Sequence, residues 1–329
     1  MLYLRWAVIS MILAVMPLFM HGQSAAQEYA EAARSAQGAS DSLFLNRAKE
    51  EQNKAVVQRV YNEIFGQGNT ALVNELFSEI YIQHNPTVPN GRQGLIDFVN
   101  FLKSLNPTPV VTVKHILADG DLVAAHWHAS ITPANEFSGQ SGFDLFRFDQ
   151  GKIVEHWDVI QDVPAQSASG NSMFSDLFQY PGAAPKPTEF QEEANKLLTL
   201  VAYDGLFNHH QLLFLDLFFA GENYIQHNPL VPNGTAALAA VLDFIAPPGS
   251  LLRFHHTVAD GDLVFVHSQS LPPGADPNNE FTGLAVADIF RVVNGKIVEH
   301  WDAIQPVPAT TASGNSMFSD LYQQYKTNK

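Results

Sequence analysis

Gly151–Pro164 reads GKIVEHWDVIQDVP, and Gly295–Pro308 reads GKIVEHWDAIQPVP. Each is a strand rich in β-branched and aromatic residues, and in the second copy it leaves a turn signal, Asn294-Gly295. Just upstream, Gly142–Phe148 reads as the strand that pairs across that turn. Further upstream, Val110–Ala118 and Asp121–Ile131 flank Asp119-Gly120, and ADGDLV recurs at Ala118–Val123 and Ala259–Val264. YIQHNPTVPNG at Tyr81–Gly91 recurs as YIQHNPLVPNG at Tyr224–Gly234, and SGNSMF closes both copies at Ser169–Phe174 and Ser313–Phe318. The offset runs only from 141 (Ala118 to Ala259) to 144 (Gly151 to Gly295), so a whole domain is duplicated rather than a short repeat stacked.

Each copy opens helical. Val56, Val57, Val60, Ile64 and Phe65 fall at helical spacing within Glu50–Phe65, and Gly66–Gly68 ends the run. Shorter helices are expected over Thr70–Phe77 and Gly91–Leu105. Helices first and hairpins afterwards give an α+β class. YPGAAPKP, Tyr180–Pro187, breaks regular structure between the copies. The expected plan is a leader over 1–26, a tether over 27–45, domains over 46–178 and 188–325, and a linker over 179–187.

The chain carries 18 Lys plus Arg against 33 Asp plus Glu, a net charge of −15, which disfavours nucleic acid and anionic membrane surfaces as partners. With Cys at 0, disulfide scaffolds, thiolate metal sites and cysteine nucleophiles are excluded. Arg5, the apolar run Trp6–Met20 and small residues Ser24–Ala26 have the form of a signal peptide, so export to the periplasm or beyond is expected. The alternative is an uncleaved N-terminal anchor.

Strand parity then nominates a pocket. A two-residue turn at Asp119-Gly120 puts His115, Leu117, Leu122, Ala124, His126 and His128 on one side, away from Lys114 and Asp121. In the second hairpin, Asn294-Gly295 as the turn sets Asp288 opposite Trp301, and by transfer Asp144 opposite Trp157. Asp144, Phe146, Glu155 and Trp157 then share a side, with Arg147, His156 and Asp158 on the other as an outer polar cluster or inter-domain contact. An apolar wall bearing His84, His115, His126, Asp144 and Glu155 can do proton chemistry, because burial tunes a carboxylic acid toward neutral pH.

The helices-then-sheet order, the D-x-F-R segment Asp144–Arg147, the GKIVEHWD strand and YIQHNP resemble SnoaL-like proteins of the nuclear-transport-factor-2-like superfamily. That resemblance implies two tandem cone-shaped domains, each a curved antiparallel sheet wrapped by N-terminal helices. It also implies polyketide-cyclase-like chemistry, an aldol ring closure using an acidic residue with no metal or organic cofactor. The superfamily also holds isomerases, dehydratases and binding-only modules, so it implies a pocket more firmly than a reaction.

The expected function is cofactor-free acid–base catalysis on a small, mostly apolar carbonyl compound. Asp144 acts as base, His126 and His84 polarise the carbonyl or return the proton, and Glu155 is a secondary partner. Asp288, His267, His227 and Glu299 repeat those roles. His115, Phe146, Trp157, His256, Phe290 and Trp301 are the expected substrate contacts. Two alternatives stand beside it: a non-catalytic module that holds a hydrophobic ligand, and a tandem with one active copy, Gln269 in place of His128 marking the second as weaker. The two domains are expected to pack as a pseudo-dimer. Gly120-x5-His126-x-His128 resembles the start of a metal motif but lacks a timely third ligand, Asp119-Gly120-Asp121 reads as a turn rather than a calcium loop, and GNSMF offers its serine no base.

Overall fold

Asn294 and Gly295 both take positive φ, 52° and 73°, and so do Gln150 and Gly151, so the turn that the sequence signals in the second copy is also built in the first. Residues 45–327, apart from 185, are described by the computed structural model. The leader and all but the last residue of the tether lie outside the described residues. Among the described residues the chain forms two five-stranded sheets. The first contains β1 (Phe77–Gln83), β2 (Val110–Asp119), β3 (Leu122–Ser130), β4 (Gln140–Asp149) and β5 (Lys152–Asp162), in the order β1-β5-β4-β3-β2. The second repeats it with β6 (Ile225–Gln226), β7 (Leu251–Asp260), β8 (Leu263–Leu271), β9 (Leu284–Val293) and β10 (Lys296–Pro306), in the order β6-β10-β9-β8-β7.

Four strands of each sheet are antiparallel, joined through hairpins and a longer loop, and neither sheet closes on itself. The fifth, from YIQHNP, joins β5 or β10 in parallel, so each sheet is mixed. A parallel pair needs a long connection, which the intervening helix and hairpins supply. Among the described residues no helix is long and apolar enough to cross a membrane.

Helices cover one face of each sheet. In the first copy a helical run passes into a π-helical turn, Val60–Gly66, and is followed by a helix over Gly91–Ser104. In the second, Thr188 and Gln191 form a capping box that starts the helix Glu189–Phe207, and Thr235–Ile245 follows. Val57, Val60, Ile64 and Val99 pack beneath β3 and β4 on Val123 and Phe148. Ala202, Leu206 and Leu238 do the same on Val264 and Ile297.

The opposite faces of the two sheets meet each other. Leu117, Leu145, Trp157 and Val159 form one cluster with Val258, Phe265, Ile289 and Trp301. From Asn53 onward the chain is one compact unit that contains both copies. The tails after β5 and β10 cross the seam. Ser172 O accepts from His227 Nδ1 at 2.6 Å, and Ser175 O accepts from Trp301 Nε1 at 3.1 Å. In return, Ser316 O accepts from His84 Nδ1 at 2.5 Å, and Ser319 O from Trp157 Nε1 at 3.1 Å. SGNSMF is therefore retained in both copies as a clasp on the other copy's sheet.

Both faces of each sheet are buried, and this defeats the polarity rule used to orient the strands. Two register features add to the effect. The first hairpin turns at Gly120-Asp121, with Asp119 opposite Leu122, and a bulge between Val113 and His115 shifts the rest. In the second copy Lys296 does pair with Val293, but a bulge between Ile297 and Glu299 places Asp288 opposite Asp302 rather than Trp301. In the first hairpin only Val111 and Val113, beyond the bulge on β2, change face, whereas in the second the bulge moves Glu155 and Trp157, and Glu299 and Trp301, to the other side.

Candidate functional site

Helices and sheet of the first copy enclose a cavity of about 550 Å³. That lies within the roughly 300–1,000 Å³ common for small-molecule sites. Its walls include Phe65, Phe77, Phe98, Trp127 and Phe146, and its polar residues include Tyr61, Tyr81, Gln83, Asn85, Asp144, His156 and Asp158. Period-two alternation explains the set. Asp144 and Phe146 project from β4, His156 and Asp158 from β5, and Tyr81 and Gln83 from β1, with Asn85 continuing the alternation. Tyr61 enters from the π-helical turn.

Asp144 and Asp158 stand directly opposite each other across β4 and β5. Two like charges in that position oppose folding, so the pair marks a place where local stability is given up. Each carboxylate is held from outside: Tyr61 OH donates to Asp144 Oδ2, and Asn85 Nδ2 donates to Asp158 Oδ2 at 2.5 Å. His156 Nδ1 donates to Gln83 Oε1 at 2.8 Å. That oxygen also accepts from Asn85 N at 2.8 Å, while Gln83 Nε2 donates to Tyr81 OH at 3.0 Å. The amide orientation is thereby fixed, and with it the proton on Nδ1. Nε2 is left facing Asp144 Oδ1 at 3.5 Å.

Burial raises the pKa of Asp158 to about 6, Asp144 adds to the rise, and His156 and Asn85 work against it. His156 is pulled down by burial, but the facing Asp144 carboxylate, helped by Asp158, outweighs that and leaves it raised. Burial, with the nearby Asp144 and Asp158 charges, holds the Tyr61 and Tyr81 hydroxyls well above their usual range, so both remain neutral. The floor of the cavity therefore combines a carboxyl group titrating near neutrality with an imidazole favoured in its charged form.

The second copy carries the same constellation in a filled hollow. Tyr203 OH donates to Asp288 Oδ1 at 3.0 Å, His300 Nε2 lies 2.9 Å from the same oxygen, and Asn228 Nδ2 donates to Asp302 Oδ2 at 2.6 Å. The void there is about 80 Å³, room for roughly two or three waters. Leu252 and Val286, which line it, replace Val111 and Gly142, and Phe254, which replaces Val113, packs on Tyr203. The Asp144 side chain is 9% exposed, whereas Asp288 is 0% exposed. Burial pushes Asp288 well up and His300 down to about 4.

Trp127 and Gly142 form a matched pair on the cavity wall. A Cβ on Gly142 would lie 2.0 Å from the Trp127 ring, and the second copy, with Val286, has Ser268 in place of the tryptophan. Gly142→Ala is expected to destabilise the chain by about 1–3 kcal/mol through overpacking. Trp127→Ser in the same chain should restore most of that loss in a urea melt.

Of the residues nominated from sequence, Asp144 and Phe146 line the cavity and Phe290 lines the small void. Asp288 is sealed beside that void. The others lie on the seam face. His126 pairs with Phe143 while Asp144 pairs with Ala125, which puts His126 and Asp144 on opposite sides of the sheet. His115 Nδ1 and His126 Nδ1 are 3.0 Å apart, and His256 and His267 repeat this at 3.1 Å. His84 Nε2 meets Glu155 Oε1 at 3.0 Å and stacks on Trp157 with ring centroids 5.0 Å apart. His227, Glu299 and Trp301 form the same group, also at 3.0 Å and 5.0 Å.

Parity grouped His115, Leu117, Leu122, Ala124, His126 and His128 correctly, but that face is the seam, a second apolar face that resembles a pocket wall; in the second hairpin the bulge moved Glu155 and Trp157 off the face of Asp144. The missed cavity residues are Tyr61, Tyr81, Gln83, Asn85, His156 and Asp158, with their second-copy equivalents. A signal existed: YIQHNP read as a strand puts Tyr, Gln and Asn on one side and His on the other.

Burial first, and His115 next, hold His126 well below its usual pKa; burial and His256 do the same for His267. A histidine kept neutral in the fold gives stability present above its unfolded pKa of about 6.5 and lost as pH falls below it. Asp158 and Asp302, both raised to about 6, oppose that loss between pH 6 and 4. Comparing stability at pH 7.5 and 5.5 in the parent and in His126→Phe isolates the histidine contribution. The variant should lose about 1 kcal/mol less on acidification. An equal loss in both would show that His126 does not titrate on unfolding.

The first copy matches the SnoaL-like polyketide cyclase family over residues 55–168, and the second matches the SnoaL-like domain family over residues 201–300. The chain is a tandem SnoaL-like protein. Similar solved structures each align with about one copy. A loop-truncation variant of IdmH is 25% identical over 33% of this chain and 92% of its own, with a TM-score of 0.30. An NTF2-like protein of unknown function from Mesorhizobium loti is 21% identical over 34% and 93%, with a TM-score of 0.30. TsrD from Streptomyces laurentii is 20% identical over 35% and 90%, with a TM-score of 0.28. No curated protein matches the chain.

Proposed function

We propose that the first copy's cavity performs acid–base catalysis on a small, mostly apolar carbonyl compound, of the aldol-condensing or isomerising type. The observation that carries this reading is the convergence of Asp144, His156 and Asp158 in a cavity of about 550 Å³ with aromatic walls. Asp158, with a pKa of about 6, takes a proton from the carbon beside the carbonyl. His156, charged and steadied by Asp144, donates to the carbonyl oxygen as negative charge develops there. Asp144 and Tyr61 hold the imidazolium, and Gln83 keeps Nδ1 pointed away from the substrate.

The second copy serves chiefly as a structural partner, since its void is too small for a substrate and Asp288 is sealed. In this reading the two copies act as a pseudo-dimer in which one half works. Arg5 and the apolar run Trp6–Met20 support export, and the exported protein is expected to begin at Gln27. N-terminal sequencing of secreted material checks it.

The test is deuterium exchange at the methyl group of 2-acetylnaphthalene in D₂O, followed by NMR. The parent should accelerate exchange, and Asp158→Asn should remove about 10²–10⁴ of that acceleration. Saturable binding of the ketone without faster exchange would reassign the cavity to ligand holding.

A further inference from the structure

We propose that Asp144, His156 and Asp158 of the first copy form a site for one Zn²⁺-like divalent cation. This goes beyond the acid–base reading and does not depend on it.

The geometry is that of ligands held from behind. One atom of each residue is already committed: His156 Nδ1 to Gln83, Asp144 Oδ2 to Tyr61, and Asp158 Oδ2 to Asn85. Metal-binding imidazoles and carboxylates are characteristically oriented by such outer hydrogen bonds. One ligand atom from each of the three lies within 4.8 Å of the others, close enough for a single ion after small side-chain adjustments.

Two further observations point to a cation. Asp158 is 6% exposed, yet its Oδ1 is buried with no hydrogen-bond partner. In addition, Gln83 fixes the proton on Nδ1, so a neutral His156 turns the Nε2 lone pair toward Asp144 Oδ1. Two lone pairs face each other there across 3.5 Å, a distance too long for a direct hydrogen bond. A positive particle between them removes the conflict. A proton is one candidate and a divalent ion is the other, and only the ion also neutralises both carboxylates.

One nitrogen and two oxygens suit zinc or a neighbouring first-row ion better than calcium, which takes six to eight oxygens. The cavity leaves room for water or another ligand on the ion's open side. The second copy has the same residue types, but His300 Nε2 and Asp288 Oδ1 close to 2.9 Å and Asp288 has no exposure. Although Asp288, His300 and Asp302 meet the same distance criterion, that contraction and the lack of room for a further ligand leave one expected site among the described residues.

Co²⁺ titration of the EDTA-dialysed full chain, read by visible absorption, tests this. The expected result is a saturable band at one equivalent, abolished by Zn²⁺ and weakened at least tenfold in His156→Gln and Asp158→Asn, but unchanged in His300→Gln. Zn²⁺ added to the unaltered chain should shift one histidine Nε2 resonance in ¹⁵N NMR, which keeps the test decisive if a variant fails to fold. No band, no shifted resonance, or an equal titration in folded His156→Gln (an adventitious ion only, on exposed His209 for example) overturns the site. Ketone exchange measured in EDTA reports on the acid–base reading separately. Loss of exchange in Asp158→Asn without any metal effect would leave that reading intact and remove this one.

Discussion

Glu155→Ala is expected to lower stability by about 3–5 kcal/mol, the scale of removing one partner from a buried ion pair. Glu155 has no exposure, and four groups converge on it. Oε1 faces His84 Nε2 at 3.0 Å and accepts from Leu321 N at 2.8 Å and Tyr322 N at 3.2 Å, while Oε2 lies 3.4 Å from Arg147 Nε. Alanine would strip the buried His84 imidazole and at least one backbone N–H of their partner and remove one of the three carboxylates around Arg147, which keeps Asp121 and Asp320. The clasp that the second copy's tail places on the first copy's sheet should loosen with it, giving faster proteolysis near residues 313–322. Urea denaturation measures the main effect. A loss under about 1 kcal/mol would mean that Glu155 is not a structural member of the seam. Glu155→Gln, which keeps an acceptor but not the charge, should fall between.

The second large effect separates the copies. Asp158→Asn should lower ketone exchange by about 10²–10⁴, while the equivalent Asp302→Asn should change it less than about twofold. Both groups are raised to about 6 and both accept from an asparagine, so chemistry at the residue itself does not distinguish them. Their surroundings do. Asp158 lines about 550 Å³ of cavity, and Asp302 lines about 80 Å³. Equal losses in the two variants would mean that the second copy opens in solution and works alongside the first.

The duplication, the α+β class and the hairpin positions were legible because repeats and turn chemistry are local signals. Asn294-Gly295 specified its turn correctly. The inward face was not legible for β2, β3 and β5. A bulge leaves no distinctive residue in VKH of β2 or KIVEH of β5, yet each one reverses the parity of its own strand beyond it. Histidine on an apolar strand face also suggested a pocket when it marked a seam. His126 stacks on Phe143, with ring centroids 4.2 Å apart, and belongs to the contact between copies. Asp144 and Phe146 were placed in the cavity because they alternate on β4 before any bulge intervenes. His156 and Asp158 were assigned outward because charged groups were taken to avoid the interior, and their burial depends on the partners Gln83 and Asn85 from a distant strand.

A crystal structure of the chain soaked with 2-acetylnaphthalene bears most directly on the site. The ketone should occupy the first copy alone, its ring against Trp127 and Phe146 and its carbonyl oxygen within hydrogen-bonding distance of His156. Density in the second copy instead, or a carbonyl turned away from His156 and Asp158, would contradict the assignment of the working site.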